Sequence, residues 1–137
     1  MSFVLDNSVA LAWCFADEQT PALMALLDRV AEAGAIAPLL WPLEAQNGLL
    51  MAERRQRLGA AKRAELARLL RELPISLDAE TAEQAWTDTI GLAERFALSV
   101  YDASYLELAR RRRLPLATTD RALRSAAAAS GVALLPP

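Results

Sequence analysis

The chain has 137 residues, 54% of them apolar and 23% charged, which is one domain's worth with enough apolar side chains for a real core. A net charge of −2 gives no overall pull toward nucleic acid, so any such contact must come from local clusters among its 14 Arg and one Lys. The absence of histidine removes the usual general base, the Ser–His and Cys–His nucleophile pairs and most zinc sites, and the single cysteine, Cys14, cannot form an intramolecular disulfide.

Phe3-Val4-Leu5 reads as a short buried strand ending at Asp6-Asn7-Ser8. Val9 to Phe15 reads as a short helix; Cys14 lies there among Leu11, Trp13 and Phe15 and is expected to be a buried thiol. Thr20-Pro21 is an N-cap followed by proline at the first helical position, and Leu23, Leu26, Leu27, Val30 and Ala31 follow at helical spacing until Gly34. Ala35-Ile36-Ala37 is a second strand. The longest apolar stretch, residues 36–43, holds two prolines and is far too short to span a bilayer, and no basic segment precedes an apolar run at the N-terminus. The expectation is a cytoplasmic protein without a membrane partner.

Pro42 opens a helix predicted to run to about Leu58, with Gly59 as its stop. Leu66, Leu69, Leu70 and Leu73 mark the next helix, Pro74 ends it, and Ile75-Ser76-Leu77 is a third strand. Ala82, Ala85, Trp86, Thr89, Ile90 and Ala93 form one helical stripe. A helix over Asp102 to Arg113, a strand at Leu116-Ala117-Thr118, a helix over Asp120 to Ser130 closed by Gly131, and a last strand at Val132 to Leu135 complete the chain. Short strands alternating with helices imply an α/β fold with a parallel sheet and right-handed crossovers.

Four acids stand where an apolar segment gives way to a helix start: Asp6, Glu44, Asp102 and Asp120. In such a sheet these positions share one edge, the edge where open α/β sheets bind ligands. Two like charges ~4 Å apart repel by about 4 kcal/mol at an effective dielectric near 20, which a divalent cation with a taste for oxygen ligands, Mg²⁺ or Mn²⁺, relieves. Each acid also has a structural explanation, because the helix dipole favours carboxylates in a first turn and Asp102 follows Ser99 in a capping-box-like spacing. Asp78 ends a strand too, and spacing alone does not say why it would stand outside the site. Three small polar residues accompany the acids: Ser8, Asn47 on the helical face of Glu44, and Thr118.

These segments resemble those of PIN-domain ribonucleases, in particular the VapC-type toxins of bacterial toxin–antitoxin pairs. The resemblance rests on four stretches in order: 4–13 (VLDNSVALAW), 41–49 (WPLEAQNGL), 101–109 (YDASYLELA) and 116–121 (LATTDR). It implies a single domain over residues 1–137, a five-stranded parallel sheet flanked by helices, and a central strand ending at Asp6 with the strand near Asp78 at an edge. It further implies that Asp6, Glu44, Asp102 and Asp120 bind Mg²⁺ or Mn²⁺ for phosphodiester hydrolysis of RNA. Ser8, Asn47 and Thr118 would orient carboxylates or water, and a homodimer and a cognate antitoxin are its expected assemblies.

Of the basic clusters, 110–113 and Arg54, Arg55 and Arg57 sit near helix C-termini, where the dipole alone favours cations and where the opposite sheet edge is expected. Arg121 and Arg124 begin a helix, where it does not, and Arg121 beside Asp120 is the candidate for phosphate or antitoxin contact. Trp13, Trp41, Met51 and Trp86 are core candidates unless they gather on a partner surface. Two competitors remain: a catalytically silent PIN-like domain binding metal or RNA, and a phosphoacceptor receiver-like domain, which would need a lysine near the acids where only Lys62 exists.

Overall fold

The computed structural model describes residues 3–137. Five parallel strands, β1 (Val4–Leu5), β2 (Ala35–Pro38), β3 (Ile75–Asp78), β4 (Leu116–Ala117) and β5 (Leu134–Leu135), form one sheet in the order β3-β2-β1-β4-β5. Helices flank it: α1 (Asn7–Cys14), α2 (Pro21–Ala33), α3 (Trp41–Arg54), α4 (Ala60–Glu72), α5 (Thr81–Gln84), α6 (Ile90–Phe96), α7 (Val100–Arg112) and α8 (Arg121–Ala129). The α/β class and the parallel sheet expected from the pattern are both found.

The order of strands positions everything that follows. From β1 the chain moves outward through β2 to β3, then returns across the sheet to lay β4 on the other side of β1. Connections leaving β1 and β4 therefore diverge, and the carboxyl ends of those two strands open a crevice at the switch point. Asp6 follows β1 directly and Asp120 lies three residues past β4, whereas Asp78 ends an edge strand. The core matches that geometry. Phe3, Val4, Leu5, Leu116 and Ala117 are fully buried, and α7 packs across β1, β2 and β4 with Leu106 and Tyr105 inside.

Side-chain caps open three of the helices. Thr20 accepts the amide of Leu23 at 3.1 Å, Ser99 that of Asp102 at 3.0 Å, and Asp120 that of Leu123 at 2.8 Å. Gly34 closes α2 with a left-handed φ of 73°. Between α1 and α3 the approach is close enough that a Cβ on Gly48 would lie 2.5 Å from Leu11 Cδ1.

Two expectations fail. The helix opened by Pro42 ends at Arg54 and not near Leu58, because Gln56 turns left-handed (φ 63°) and the amide of Arg57 returns to the carbonyl of Ala52. The stripe over 82–93 is not one regular helix: a π turn at Ala85–Thr89 separates α5 from α6. The wider turn shifts the phase of the pattern, so Thr89 and Ala93 are buried while Trp86 is 84% exposed.

Candidate metal centre at the sheet edge

Asp6 is the best-defined member of the site. It occupies the N-cap position of α1, yet its side chain makes no capping hydrogen bond. Its Oδ2 instead accepts from Ser8 Oγ at 2.5 Å and from Thr118 Oγ1 at 2.8 Å, with the carboxylate 4% exposed. Each hydroxyl is itself held by a backbone amide: Thr119 N donates to Ser8 Oγ and Asp120 N to Thr118 Oγ1, both at 3.0 Å. Helix capping, the bland explanation, is therefore secondary for Asp6, where the Ser8 amide is the smallest of the influences on the carboxyl, and holds for Asp120, whose Oδ2 caps α8.

Glu44 lies in the first turn of α3 and takes the phenol hydrogen of Tyr105 at 2.6 Å on Oε1. Asp102 lies in the first turn of α7. Sequence reasoning missed Tyr105, although it follows Asp102 by three residues and so shares its helical face. Burial, helped by the charges of neighbouring acids, raises three of these carboxyls above the ordinary range. Burial dominates for Asp6, with Asp102 adding to it against the Ser8 and Thr118 bonds. It dominates again for Glu44, with Asp6 and Asp102 adding, and for Asp102, with Asp120 adding. Each of these three is raised further by a neighbouring acid, and no basic side chain is among the influences that lower them. Burial followed by the Glu44 contact likewise pushes the Tyr105 phenol far up, so it remains a donor.

The donor set suits a hard divalent cation: only carboxylate and hydroxyl oxygens, no histidine, and an excess of negative charge. Among the described residues no three acidic, Cys or His side chains stand close enough, as placed, to enclose an ion by themselves. Mg²⁺ does not require that, since it keeps several waters and is usually held by one or two carboxylates together with substrate phosphates. Asp6 would be the anchor, because its two recorded side-chain bonds both fall on Oδ2. When bound, a divalent cation lowers the pKa of water and offsets charge on phosphoryl oxygens. The chain's own part is to fix the carboxylates: Ser8 and Thr118 hold Asp6, and Tyr105 holds Glu44.

The remaining candidates sort as follows. Asn47 is exposed one turn after Glu44, and Arg121 is exposed at the start of α8 beside Asp120. Arg124 is not available for substrate, because its guanidinium bonds the carbonyls of Thr118 and Pro136, both at 2.8 Å. Arg57 pairs with Asp17 and Glu18 over the Phe15 ring. Arg110 and Arg113 border a shallow concavity with Pro115 and Gly131, away from the acids. Arg111 reaches the last residue of β3, pairing Asp78 at 2.6 Å, Glu80 at 3.1 Å and Glu107 at 2.8 Å. That contact explains why Asp78 is no member of the site. Burial opposes its ionisation, but bonds from Arg111 and Thr81 outweigh it and hold its pKa below the ordinary value.

Trp13 is buried with its Nε1 donating to the Leu23 carbonyl at 2.8 Å, Trp41 is buried, and Met51 is half-buried, so only Trp86 is available to a partner surface. Cys14, expected to be buried, is half-buried, and burial pushes its thiol up to about 11. Lys62 lies on α4 paired with Glu65, which removes the receiver-like alternative.

Comparison with known proteins agrees with this fold. Among curated proteins, no sequence matches the chain significantly. The crystal structure of FitAcB from Neisseria gonorrhoeae superposes with a TM-score of 0.67 at 19% identity, over 98% of this chain and 97% of that one. That of PAE2754 from Pyrobaculum aerophilum gives 0.64 at 24% identity, over 92% and 84%. The PIN domain family matches residues 3–129, nearly the whole length, and this establishes that the chain belongs to the PIN domain family.

Proposed function

We propose that this protein is a metal-dependent endoribonuclease that acts as the VapC-type toxin of a toxin–antitoxin pair. PIN domains are generally nucleases and typically depend on a divalent metal, which supports the hydrolase class. The observation that carries the reading is Asp6: buried, held by two hydroxyls, and with its charge uncompensated by any basic side chain. Structure without a ligand has little use for such a carboxylate. Asp6, Glu44, Asp102 and Asp120 serve as ligands or ligand-orienters for Mg²⁺ or Mn²⁺. Ser8 and Thr118 fix Asp6, Asn47 orients water, and Arg121 contacts the RNA phosphate or the antitoxin. In the absence of histidine, one of the carboxylates takes the proton from the attacking water. The protein is expected to work as a homodimer, in the cytoplasm, under the control of a cognate antitoxin.

The test is cleavage of single-stranded RNA with and without Mn²⁺, by the parent protein and by Asp6→Asn. Metal-dependent cutting that vanishes in the folded variant supports the reading. Metal or RNA binding with no cleavage by the parent protein would leave a silent binding module in its place.

A further inference from the structure

Resting on the metal-dependent nuclease reading above, we infer that Tyr105 is a positioning residue for the metal centre, a tie that keeps the Glu44 carboxylate at the crevice against the repulsion of its neighbours. Tyr105 lies on α7, is fully buried, and donates to Glu44 Oε1 at 2.6 Å, the length of a bond between a hydroxyl and a charged carboxylate. Helix α7 packs across β1, β2 and β4, so the hydroxyl stands on a fixed element. Glu44 stands on α3, which packs against α1 and α4. Among the described residues no other hydrogen bond joins α3 to α7, and no other side chain bonds the Glu44 carboxylate. The tie leaves Oε2 for a cation.

Left to itself, Glu44 would turn away. The charges of Asp6 and Asp102 act against its own. It is only partly buried, and its three side-chain torsions give it both a route to water and an entropic reason to take it. Asp6 and Asp120 are held by other means: Asp6 by two hydroxyls, one of them two residues away, and Asp120 by the first turn of its own helix. Glu44 has one donor, 61 residues away in the chain, and no second to replace it. Because Tyr105 is fully buried, its hydroxyl meets no RNA and acts on the reaction through Glu44. The opposite reading makes Glu44 the servant, present only to satisfy a buried phenol. A neutral carbonyl would do that, whereas a carboxylate brings a further charge to Asp6 and Asp102, which already repel each other.

The test is Mn²⁺ binding by isothermal titration to the full chain, to Tyr105→Phe, to Glu44→Ala and to the double variant, with a metal-free melting temperature for each. Tyr105→Phe keeps the ring and should lose about 10–100-fold in Mn²⁺ affinity. In the Glu44→Ala background the same substitution should cost nothing further, because the hydroxyl then has no carboxylate to hold. A lowered melting temperature with Mn²⁺ affinity unchanged would make the phenol purely structural and overturn the proposal. Equal losses of affinity with and without Glu44 would overturn it too. Proton NMR of the parent chain needs no variant and decides the matter even if Tyr105→Phe does not fold. The Tyr105 hydroxyl proton should be protected from exchange and should persist when Mg²⁺ is added; its loss on adding Mg²⁺ would show that Glu44 leaves Tyr105 to bind the ion, against the proposal. A parent chain that binds no divalent cation would remove the metal reading and this proposal with it. Parent binding that Tyr105→Phe leaves intact would remove this proposal alone.

Discussion

Two groups of acids border the same sheet, and they are treated in opposite ways. At the edge strand, Asp78 and Glu107 are buried and Glu80 is exposed, and one guanidinium, Arg111, bonds all three. At the switch point, Asp6 is equally buried and Glu44 and Asp102 are partly so, with only neutral donors: Ser8, Thr118 and Tyr105. The first group is complete as a piece of structure, and the Asp78 carboxyl lies below its ordinary pKa. The second is left with its charge unmet, and Asp6, Glu44 and Asp102 all lie above theirs. Burial of acids is common to both; the presence or absence of an internal cation separates scaffold from candidate site.

The largest expected effect comes from removing that cation. Arg111→Met should destabilise the fold by about 3 kcal/mol, the lower end for breaking a buried pair because Arg111 is itself 19% exposed. Denaturant unfolding measures it, and cleavage per folded molecule should be unchanged. A near-neutral result would erase the distinction between the two groups.

Asp6→Asn should do the reverse: cleavage falls by more than the roughly 10–100-fold typical of residues supporting a metal site, while the metal-free protein keeps or raises its melting temperature. If the melting temperature collapsed instead, Asp6 would belong with the scaffold. Next comes Thr118→Val, close to isosteric, which deletes the donor to Asp6 Oδ2 and leaves the Asp120 amide without its acceptor. A loss of about 10–100-fold in Mg²⁺ affinity is expected from isothermal titration, and wild-type affinity would show that Asp6 needs no such support.

The smallest effect is a tilt with pH. Folded pKa values above the unfolded ones make Asp6, Glu44 and Asp102 favour the fold below the unfolded carboxylate range, and that contribution is lost as pH rises through the raised values. Asp78 runs the other way: its contribution is present above the unfolded value near 3.8 and is lost as pH falls through its lowered value. Metal-free melts between about pH 4 and 8 should therefore decline toward neutrality, flatten in Asp6→Asn, and recover with Mg²⁺. A flat parent profile would mean that the acids are compensated after all.

What could be read from the sequence follows the range of the interactions. Strand-to-helix junctions are local, so Asp6, Glu44, Asp102 and Asp120 could be placed at one edge from periodicity and capping residues, and resemblance supplied the central position of β1. The standing of Asp78 depends on Arg111, 33 residues away, and the anchoring of Glu44 on Tyr105, 61 residues away. No spacing rule reaches so far. The π turn and the left-handed Gln56 escaped for another reason: both set a helix phase or end without a glycine or proline to mark it.

The contact of Gly48 with Leu11 acquires a second meaning here. Gly48 stands one turn beyond Glu44 on α3, and Leu11 lies on α1, the helix that Asp6 leads into. Alanine at this position would improve helix propensity by about 1 kcal/mol. It would also oblige the tip of the Leu11 side chain to shift, because its Cβ falls 2.5 Å from Leu11 Cδ1. Glycine here forgoes local helix stability and leaves the Leu11 side chain its present place between α1 and α3.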